Sequence, residues 1–316
     1  MQYLTVEPSH RFEGHVDVVY RVEAAPDPNQ FFSAGSDGFI ARWDARTGEN
    51  LGALMRGSRP VYALLTVQEE GLLAIGQNDG GMHLVNLDAN QLERSVQVHT
   101  EAVFDFAWLP QRLLVAAAGD GSLTLWQPGE WRCLHQQTLS TQRLRCLALS
   151  PDKRWLAVGG SDWQIRLLEV ASMRQVAAWQ GHDNSVFTLA WHPTQPWLLS
   201  GGRDARLKAW QLDALPAPSE KPPCLFNIPA HTLALNHLCF SPDGHWLATA
   251  SMDKTLKIWN AQTLKLLKVV DRRRHTAHTS SVNRALWLPE SNGLITCSDD
   301  RQVLGWQLHF MPEAFL

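Results

Sequence analysis

One stretch sets the pattern for the whole chain: Thr249-Ala-Ser-Met-Asp-Lys-Thr-Leu-Lys-Ile-Trp-Asn260. It predicts a strand, a tight turn at Asp253 and a second strand that ends at Trp259, because aspartate favours turns whereas Thr, Ile and Trp favour strands. Similar stretches occur elsewhere, and the closest copies are residues 33–44, 200–211 and 296–307. Repetition of one short unit at a fixed period indicates a repeat fold.

The turn aspartate recurs at nearly constant spacing. Its seven copies, separated by 42, 41, 42, 42, 49 and 47 residues, are Asp37, Asp79, Asp120, Asp162, Asp204, Asp253 and Asp300. Six residues after five of them stands a tryptophan, at Trp43, Trp126, Trp210, Trp259 and Trp306. A histidine precedes five of them by 21 or 22 residues, at His15, His99, His182, His231 and His278. Between these markers lie short apolar runs and turns, which predict four short strands in each copy and no long helix.

The Gly-His pairs, the aspartate turn and the terminal Trp-Asp (Trp43-Asp44) or Trp-Asn (Trp259-Asn260) resemble the WD-repeat β-propeller family, whose period is about 40–45 residues with four strands per blade. The resemblance implies an all-β fold: a single seven-bladed β-propeller of four-stranded blades, with residues 1–316 forming one domain. It also implies that an N-terminal strand, near Tyr3 to Val6, completes the last blade and closes the ring, which hides two sheet edges.

In that family a tryptophan, a Ser or Thr, a histidine and an aspartate form a hydrogen-bonded chain inside one blade. Four copies carry a complete set: His15-Ser33-Asp37-Trp43, His182-Ser200-Asp204-Trp210, His231-Thr249-Asp253-Trp259 and His278-Thr296-Asp300-Trp306. The third copy has Ala116 at the hydroxyl position, and the second and fourth have apolar residues at both the hydroxyl and the tryptophan positions. An apolar blade interior costs less free energy than a buried polar network in which some groups lack a partner, so the loss of all polar members together is physically sensible.

Composition favours an ordinary intracellular protein. The 316 residues include 28 basic and 31 acidic side chains, and a net charge of −3 disfavours nucleic acid as the partner. The five cysteines are widely spaced without a CxxC pair, which argues against disulfides or a zinc site and fits a reducing compartment. With no signal segment and no apolar run of about 18 residues, we expect a cytoplasmic protein without a membrane span, monomeric by itself and acting in a complex.

The repeated Ser, His and Asp residues invite a hydrolase interpretation, but an active site needs one such set and the chain has four. Gly-x-Ser-x-Gly, phosphate-loop, HExxH and GxGxxG motifs are all missing from the sequence. Neither close histidine pair, His10 with His15 or His275 with His278, is accompanied by a carboxylate or cysteine cluster. We therefore expect no catalytic activity, no cofactor and no metal. An enzyme with a site in the central funnel remains an alternative, for which Asp299 is the obvious candidate.

The resemblance places two sets of residues on the top face of the propeller. The first begins each innermost strand, five residues after the histidine position: Tyr20, Tyr62, Phe104, Arg145, Phe187, Asn236 and Asn283. The second directly precedes each turn aspartate and includes Ser161, Arg203 and Met252. Aromatic and arginine side chains dominate interface hot spots. We therefore predict a protein-interaction scaffold whose top face binds a partner protein or peptide, with aromatic anchors and with Arg145 and Arg203 pairing with carboxylates.

Two insertions leave further alternatives open. Residues 271–277 carry Arg272, Arg273 and Arg274, which with the other top-face arginines could bind a polyanion or single-stranded nucleic acid instead. The Pro-rich residues 213–223 are implied to protrude from the bottom face, where they could form a second binding site.

Overall fold

The computed structural model describes residues 3–127, 129–212, 221–289 and 293–311. These residues form 28 strands arranged as seven antiparallel four-stranded sheets, each a blade, together with one short 3-10 helix. Within a blade the strands pair in chain order, because each connection is a short turn between antiparallel neighbours. The blades fall into two compact units, Met1–Pro60 with Asn236–Leu316, and Val61–Leu235.

The first unit contains blades 1, 6 and 7, except that Leu235, the first residue of blade 6, belongs to the second unit. Blade 1 comprises β2 (Val19–Ala24), β3 (Gln30–Gly35), β4 (Phe39–Asp44) and β5 (Asn50–Arg56). Blade 6 comprises β22 (Leu235–Phe240), β23 (Trp246–Ser251), β24 (Leu256–Asn260) and β25 (Leu266–Val270). Blade 7 comprises β26 (Val282–Trp287), β27 (Gly293–Ser298), β28 (Val303–Met311) and, at its outer edge, β1 (Tyr3–Phe12).

The second unit contains blades 2 to 5. Blade 2 comprises β6 (Val61–Val67), the 3-10 helix (Gln68–Glu70), β7 (Leu72–Gln77), β8 (Gly81–Asn86) and β9 (Gln91–Gln97). Blade 3 comprises β10 (Val103–Leu109), β11 (Leu113–Ala118), β12 (Ser122–Gln127) and β13 (Arg132–Thr138). Blade 4 comprises β14 (Leu144–Leu149), β15 (Trp155–Gly160), β16 (Gln164–Glu169) and β17 (Gln175–Gln180). Blade 5 comprises β18 (Val186–Trp191), β19 (Trp197–Gly202), β20 (Arg206–Gln211) and β21 (Cys224–Pro229).

The predicted fold class, an all-β seven-bladed β-propeller whose last blade is completed by an N-terminal strand, is confirmed. Strand β1 pairs antiparallel with β28 from Tyr3 opposite Met311 to Phe12 opposite Val303, so it extends beyond the predicted Tyr3 to Val6. Its register shifts between Pro8 and Arg11. This pairing covers the edge of β28, which would otherwise present unpaired backbone groups.

Each unit has its core between consecutive blades. Between blades 4 and 5 the core contains Leu167, Trp179 and Trp210, each at most 3% exposed. Close approach of the blades depends on a small residue near the end of the second strand. A Cβ at Gly159 would lie 2.8 Å from Cγ1 of Val186, the first residue of the next blade. Glycine therefore lets β15 and β18 pack together.

We call the end of each blade that carries the turn aspartate its top end. The first strand of every blade begins there, because the four strands alternate in direction. The loop at residues 271–277 joins β25 to β26 at this end, and Oδ1 of Asp271 accepts the backbone N–H groups of Arg273 and Arg274. In the Pro-rich insertion, residues 213–220 lie outside the described residues. No helix in the described ranges is long and apolar enough to cross a membrane.

Candidate functional site

The repeated polar residues form buried networks within single blades. In blade 1, Nδ1 of His15 lies 2.9 Å from a carboxylate oxygen of Asp37, and its Nε2 lies 2.7 Å from Oγ of Ser33. Nε1 of Trp43 donates to the same Ser33 hydroxyl at 2.7 Å. Blades 5 and 7 contain the same chain through His182, Ser200, Asp204 and Trp210, and through His278, Thr296, Asp300 and Trp306. In blade 6, Nε1 of Trp259 donates to Oγ1 of Thr249 at 2.9 Å.

Blade 3 builds this network from a residue that sequence reasoning missed. Thr124 lies directly opposite Ala116 in the ladder between β11 and β12, and supplies the missing hydroxyl. Its Oγ1 lies 2.9 Å from Nε2 of His99 and accepts Nε1 of Trp126 at 2.9 Å. The signal that could have found it is the cross-strand register, which places residue 124 against the usual hydroxyl position.

Blade 4 also keeps a polar network, where the apolar Val158 and Leu168 predicted none. Ser140, at the histidine position, donates its hydroxyl to Asp162 at 2.7 Å. Arg166, opposite Val158 in the ladder, forms an ion pair with the same carboxylate. The prediction that this blade loses its polar members together is therefore wrong, because a charged side chain from the third strand replaces the lost partners.

These networks orient the blade turns and offer little chemistry to a substrate. Burial alone would raise the pKa of the Asp37 carboxyl, but hydrogen bonds from His15 and from the backbone amides of Phe39 and Val16 hold this pKa below its ordinary value. A carboxylate whose charge is already satisfied by internal donors is a poor general base. Among the described residues, no group of three or more His, Cys, Asp or Glu side chains is placed to hold a metal ion.

A β-bulge marks the beginning of the first strand in at least six blades. The register of each shifts at one residue, which the neighbouring strand does not pair; these residues are Tyr20, Tyr62, Phe104, Arg145, Phe187 and Asn283. All six belong to the predicted top-face set. A bulge re-aims a side chain out of the regular alternation of a strand. The fold therefore gives a local reason why this position differs from the core positions on either side of it.

In the second unit, four of these side chains come together in what we call the aromatic–arginine stack, formed by Tyr62, Phe104, Arg145 and Phe187. The rings of Tyr62 and Phe104 are stacked with centroids 5.7 Å apart. Cζ of Arg145 lies 4.4 Å from the centroid of Phe104 and 5.8 Å from that of Phe187. The stack thus runs through four consecutive blades, and all four residues are partly exposed.

The guanidinium of Arg145 is held on its faces and left available at its edge. Its Nε donates to Oγ of Ser161 at 2.8 Å, and its two terminal amino groups make no hydrogen bond within the part of the chain that the structure describes. Burial lowers the pKa of Arg145, and the nearby positive charge of Arg143 acts in the same direction. A partly desolvated cation on aromatic faces attracts an anionic group more strongly than one in water.

A carboxylate beside this site, that of Glu101, is already paired. Nε of Arg143 donates to Oε2 of Glu101 at 3.1 Å. A Cβ at Gly119 would lie 2.8 Å from Oε2 of Glu101 and 3.2 Å from Cε2 of Phe104, so glycine leaves the room that both side chains occupy. Among the described residues no carboxylate forms an ion pair with Arg145 itself.

The top-face residues predicted in the first unit have different surroundings. Nδ2 of Asn236 donates to Oγ of Ser281 and to the carbonyl of Val282, each at 2.9 Å. Nδ2 of Asn283 donates to the carbonyl of Val19 at 2.9 Å and to Oδ1 of Asp299 at 2.8 Å. Both amides therefore link neighbouring blades, and the partner-binding role of Asn236 and Asn283 stays a prediction.

The remaining predicted residues lie at or near the top ends of their blades. Met252 in blade 6 is 52% exposed, Tyr20 in blade 1 is partly exposed, and Arg203 in blade 5 is exposed. Asp299, the candidate for a catalytic role, accepts a hydrogen bond from Asn283. Arg272, Arg273 and Arg274 are exposed, and none forms an ion pair within the described residues.

Comparison with known proteins agrees with the fold. The family model described as WD domain, G-beta repeat matches six segments, residues 6–44, 90–127, 131–168, 173–211, 222–260 and 271–307. These segments cover most of the chain, which therefore belongs to the WD-repeat family. Between the first two matched segments, residues 45–89 are not matched, and they include β5 of blade 1 and the first three strands of blade 2. Blade 2 lacks the histidine, the hydroxyl and the tryptophan of the repeat.

Individual relatives are distant and longer than this chain. It is 23% identical over 313 residues to the nuclear distribution protein nudF of Aspergillus niger, covering 98% of this chain and 63% of that protein. It is 22% identical to protein tipD of Dictyostelium discoideum, covering 94% of this chain and 48% of the relative. It is 25% identical to the WD repeat-containing protein 26 homolog of Arabidopsis thaliana, and the alignment covers 79% of this chain and 42% of that relative. The chain thus spans about half the length of these relatives.

Proposed function

We propose that this protein is a non-catalytic interaction scaffold, and that the top ends of blades 2 to 5 bind a segment of a partner protein. The single observation that carries this proposal is the aromatic–arginine stack. Large aromatic rings bury much area with few rotatable bonds, and a guanidinium adds directional hydrogen bonds. Such residues supply most of the binding energy at protein interfaces. Membership of a family whose blades repeatedly serve as binding platforms is consistent with this role.

The chemistry of the stack favours an acidic partner segment. Arg145 offers its two terminal amino groups, whereas Glu101 is engaged by Arg143. A guanidinium with a free edge binds a carboxylate by two parallel hydrogen bonds, which is the strongest and most directional form of this contact. We therefore assign Tyr62, Phe104 and Phe187 as apolar anchors and Arg145 as the carboxylate ligand. Arg203 is a further predicted cation.

In the first unit, Tyr20 and Met252 are predicted partner contacts in their own right, because of their position in the repeat and their exposure. As part of the same proposal we place the protein in the cytoplasm. All five cysteines are free thiols, and Cys133 and Cys224 are exposed, which suits a reducing compartment.

The test uses a random dodecapeptide library displayed on phage and selected on the full chain. We expect enrichment of peptides that carry Asp or Glu. Replacing Tyr62 and Phe104 together by alanine should lower the affinity for a synthetic selected peptide by at least about tenfold, because both aromatic anchors are removed. The matched control replaces two exposed leucines on the outermost strands of the same unit, Leu92→Ala with Leu134→Ala, and should leave the affinity unchanged.

Unchanged affinity in the Tyr62/Phe104 double variant, with an unchanged melting temperature, would refute this site. Binding of single-stranded DNA instead of a peptide would favour a polyanion-binding role. In that case a (dT)20 oligonucleotide would bind, its affinity would fall steeply as salt is raised, and the variant with Arg272, Arg273 and Arg274 replaced by glutamine would lose it. The exposed arginine loop is the observation that keeps this second function under test.

A further inference from the structure

The turn after the aspartate has the same unusual backbone in every blade. The residue that follows the turn aspartate adopts a left-handed φ between 63° and 88° in all seven, at Gly38, Gly80, Gly121, Trp163, Ala205, Lys254 and Arg301. Glycine adopts this conformation at no steric cost, whereas a side chain crowds the following carbonyl. Blade 4 places a tryptophan here, with φ of 69°. A bulky residue at such a φ is a conformational outlier.

The backbone of Trp163 is held firmly by its surroundings. Its N–H donates to the carbonyl of Gly160 at 3.3 Å, and its own carbonyl accepts the N–H groups of Gly181 at 2.9 Å and His182 at 3.3 Å. The same bonds form whatever the side chain is, so they do not call for an indole. The turn would be satisfied, and less strained, with glycine.

The indole of Trp163 has neither a polar nor an aromatic partner among the described residues. It makes no hydrogen bond and no ring contact with any of them, and the residue is 44% exposed. All 14 tryptophans lie in the described part of the chain, and Trp163 is the one that belongs to the exposed class. A residue with a strained backbone whose side chain has no specific partner in the fold is a candidate functional position.

The same turn also orients the aromatic–arginine stack. Ser161, two residues before Trp163, accepts the hydrogen bond from Nε of Arg145. Between them, Asp162 is fixed by Ser140 and Arg166. A three-residue turn therefore holds a guanidinium at its first residue and presents an exposed indole at its third.

We infer that Trp163 is a specificity-determining contact for the partner segment, which places an apolar side chain on the indole and a carboxylate on Arg145. This inference rests on the proposed function of the stack. Exposed tryptophan is among the most effective hot-spot residues because its large face binds apolar groups while its N–H retains a polar contact. The partner class is thus narrowed from an acidic segment to one that pairs an acidic residue with a nearby apolar residue.

Trp163→Gly tests this inference without harming the fold. Glycine relieves the strain of the left-handed φ, which offsets its greater freedom in the unfolded chain and the loss of the indole's contacts, so the variant should melt within about 3 °C of the wild type. Trp163→Asn is a second variant, since asparagine also tolerates this conformation. Ala205→Gly changes the same turn position in the adjacent blade 5 and serves as the matched control.

The probe is a fluorescein-labelled peptide selected from the dodecapeptide library on the wild-type chain, with two derivatives in which its apolar residues are replaced by alanine or its acidic residues by amides. Trp163→Gly and Trp163→Asn should each lower the affinity for the parent peptide about tenfold or more, whereas Ala205→Gly should leave this affinity unchanged. Trp163→Gly should cause little further loss with the alanine derivative, while Arg145→Gln should cause little further loss with the amide derivative.

The possible outcomes distinguish the role of Trp163 from the binding role of the aromatic–arginine stack. Wild-type affinity in Trp163→Gly combined with a loss in Arg145→Gln would overturn the role of Trp163 and leave the stack as the binding site. Wild-type affinity in both variants, or a selection that enriches no peptide, would overturn both.

Discussion

Thr124 shows that a blade can place the same hydroxyl by two routes. In blades 1, 5 and 7 the hydroxyl between histidine and tryptophan comes from the second strand, at Ser33, Ser200 and Thr296. In blade 3 it comes from the third strand, because residues 116 and 124 face each other across the ladder. A buried histidine and a buried indole both need a partner, and the fold accepts either source as long as both are satisfied.

Thr124→Val should therefore destabilise the protein by about 1–3 kcal/mol, since it leaves His99 and the indole N–H of Trp126 without their shared partner. Urea unfolding followed by circular dichroism measures this loss. Adding Ala116→Ser to Thr124→Val should restore much of the stability, because the hydroxyl returns on the opposite strand. A double variant no more stable than the single one would contradict this account.

Asp300 makes stability depend on pH at the acidic end. Burial would raise its pKa, but hydrogen bonds from His278 and from the backbone amides of Thr279 and Gln302 lower the pKa to about 2, below the ordinary value of 3.8. A carboxyl whose pKa is lower in the folded state stabilises the fold above pH 3.8, and this contribution is lost as the pH falls through 2. The shift corresponds to roughly 2 kcal/mol at neutral pH.

Asp300→Asn should consequently be less stable than the wild type at pH 6, and the difference should shrink as the pH approaches 2. Urea midpoints at a series of pH values measure both. Asp299→Asn, one residue away and in the exposed class, is the control. A difference between Asp300→Asn and the wild type that stays constant from pH 6 to pH 2 would argue against the lowered pKa.

At the scale of single strands, two local devices allow blades to pack and to bind. A small residue near the end of the second strand permits close packing on the next blade, as at Gly76 against Val103 and Gly159 against Val186. A bulge at the second residue of the first strand turns one side chain out of the alternation, as at Phe104 and Arg145. The two devices lie near the same top end, so the packing of blades and the exposure of the stack are set together.

Gly159→Val should cost about 1–3 kcal/mol, because its Cβ would lie 2.8 Å from Cγ1 of Val186 and 2.6 Å from Sγ of Cys146. The free energy of unfolding in urea measures it. Val186→Ala should recover part of the loss when combined with Gly159→Val, although Val186→Ala by itself destabilises a core position. Additive losses in the double variant would show that the two residues do not press on each other.

For the whole molecule, the decisive pairing joins the two ends of the described chain. Strand β1 forms the outer edge of blade 7, whose other three strands lie near the C-terminus. Its Leu4 and Val6 are buried in the core between blades 6 and 7, and Phe12 is buried in the core between blades 7 and 1. Blade 7 is therefore complete only when residues some 300 positions apart have met.

Deletion of residues 1–12 should expose the edge of β28 and promote association between copies, with a lower melting temperature. Size-exclusion chromatography and thermal unfolding measure these effects. A synthetic peptide of residues 3–12 should bind the truncated protein and raise its melting temperature, whereas a peptide with Leu4 and Val6 replaced by serine should not. A monomeric truncated protein with the original melting temperature would show that β1 is dispensable.

The sequence by itself determined the number of blades and the hydrogen-bonded residues of blades 1, 5 and 7, because these follow from short-range spacing around Asp253 and its copies. It also placed Tyr62, Phe104, Arg145 and Phe187 at equivalent positions. Only the tertiary structure decided that these four touch, since they lie about 42 residues apart and meet through bulges and blade packing. The same holds for the hydroxyl of Thr124, for the amides of Asn236 and Asn283, and for the strained, exposed indole of Trp163. Each depends on what lies across a ladder or on the neighbouring blade, which the local period does not encode.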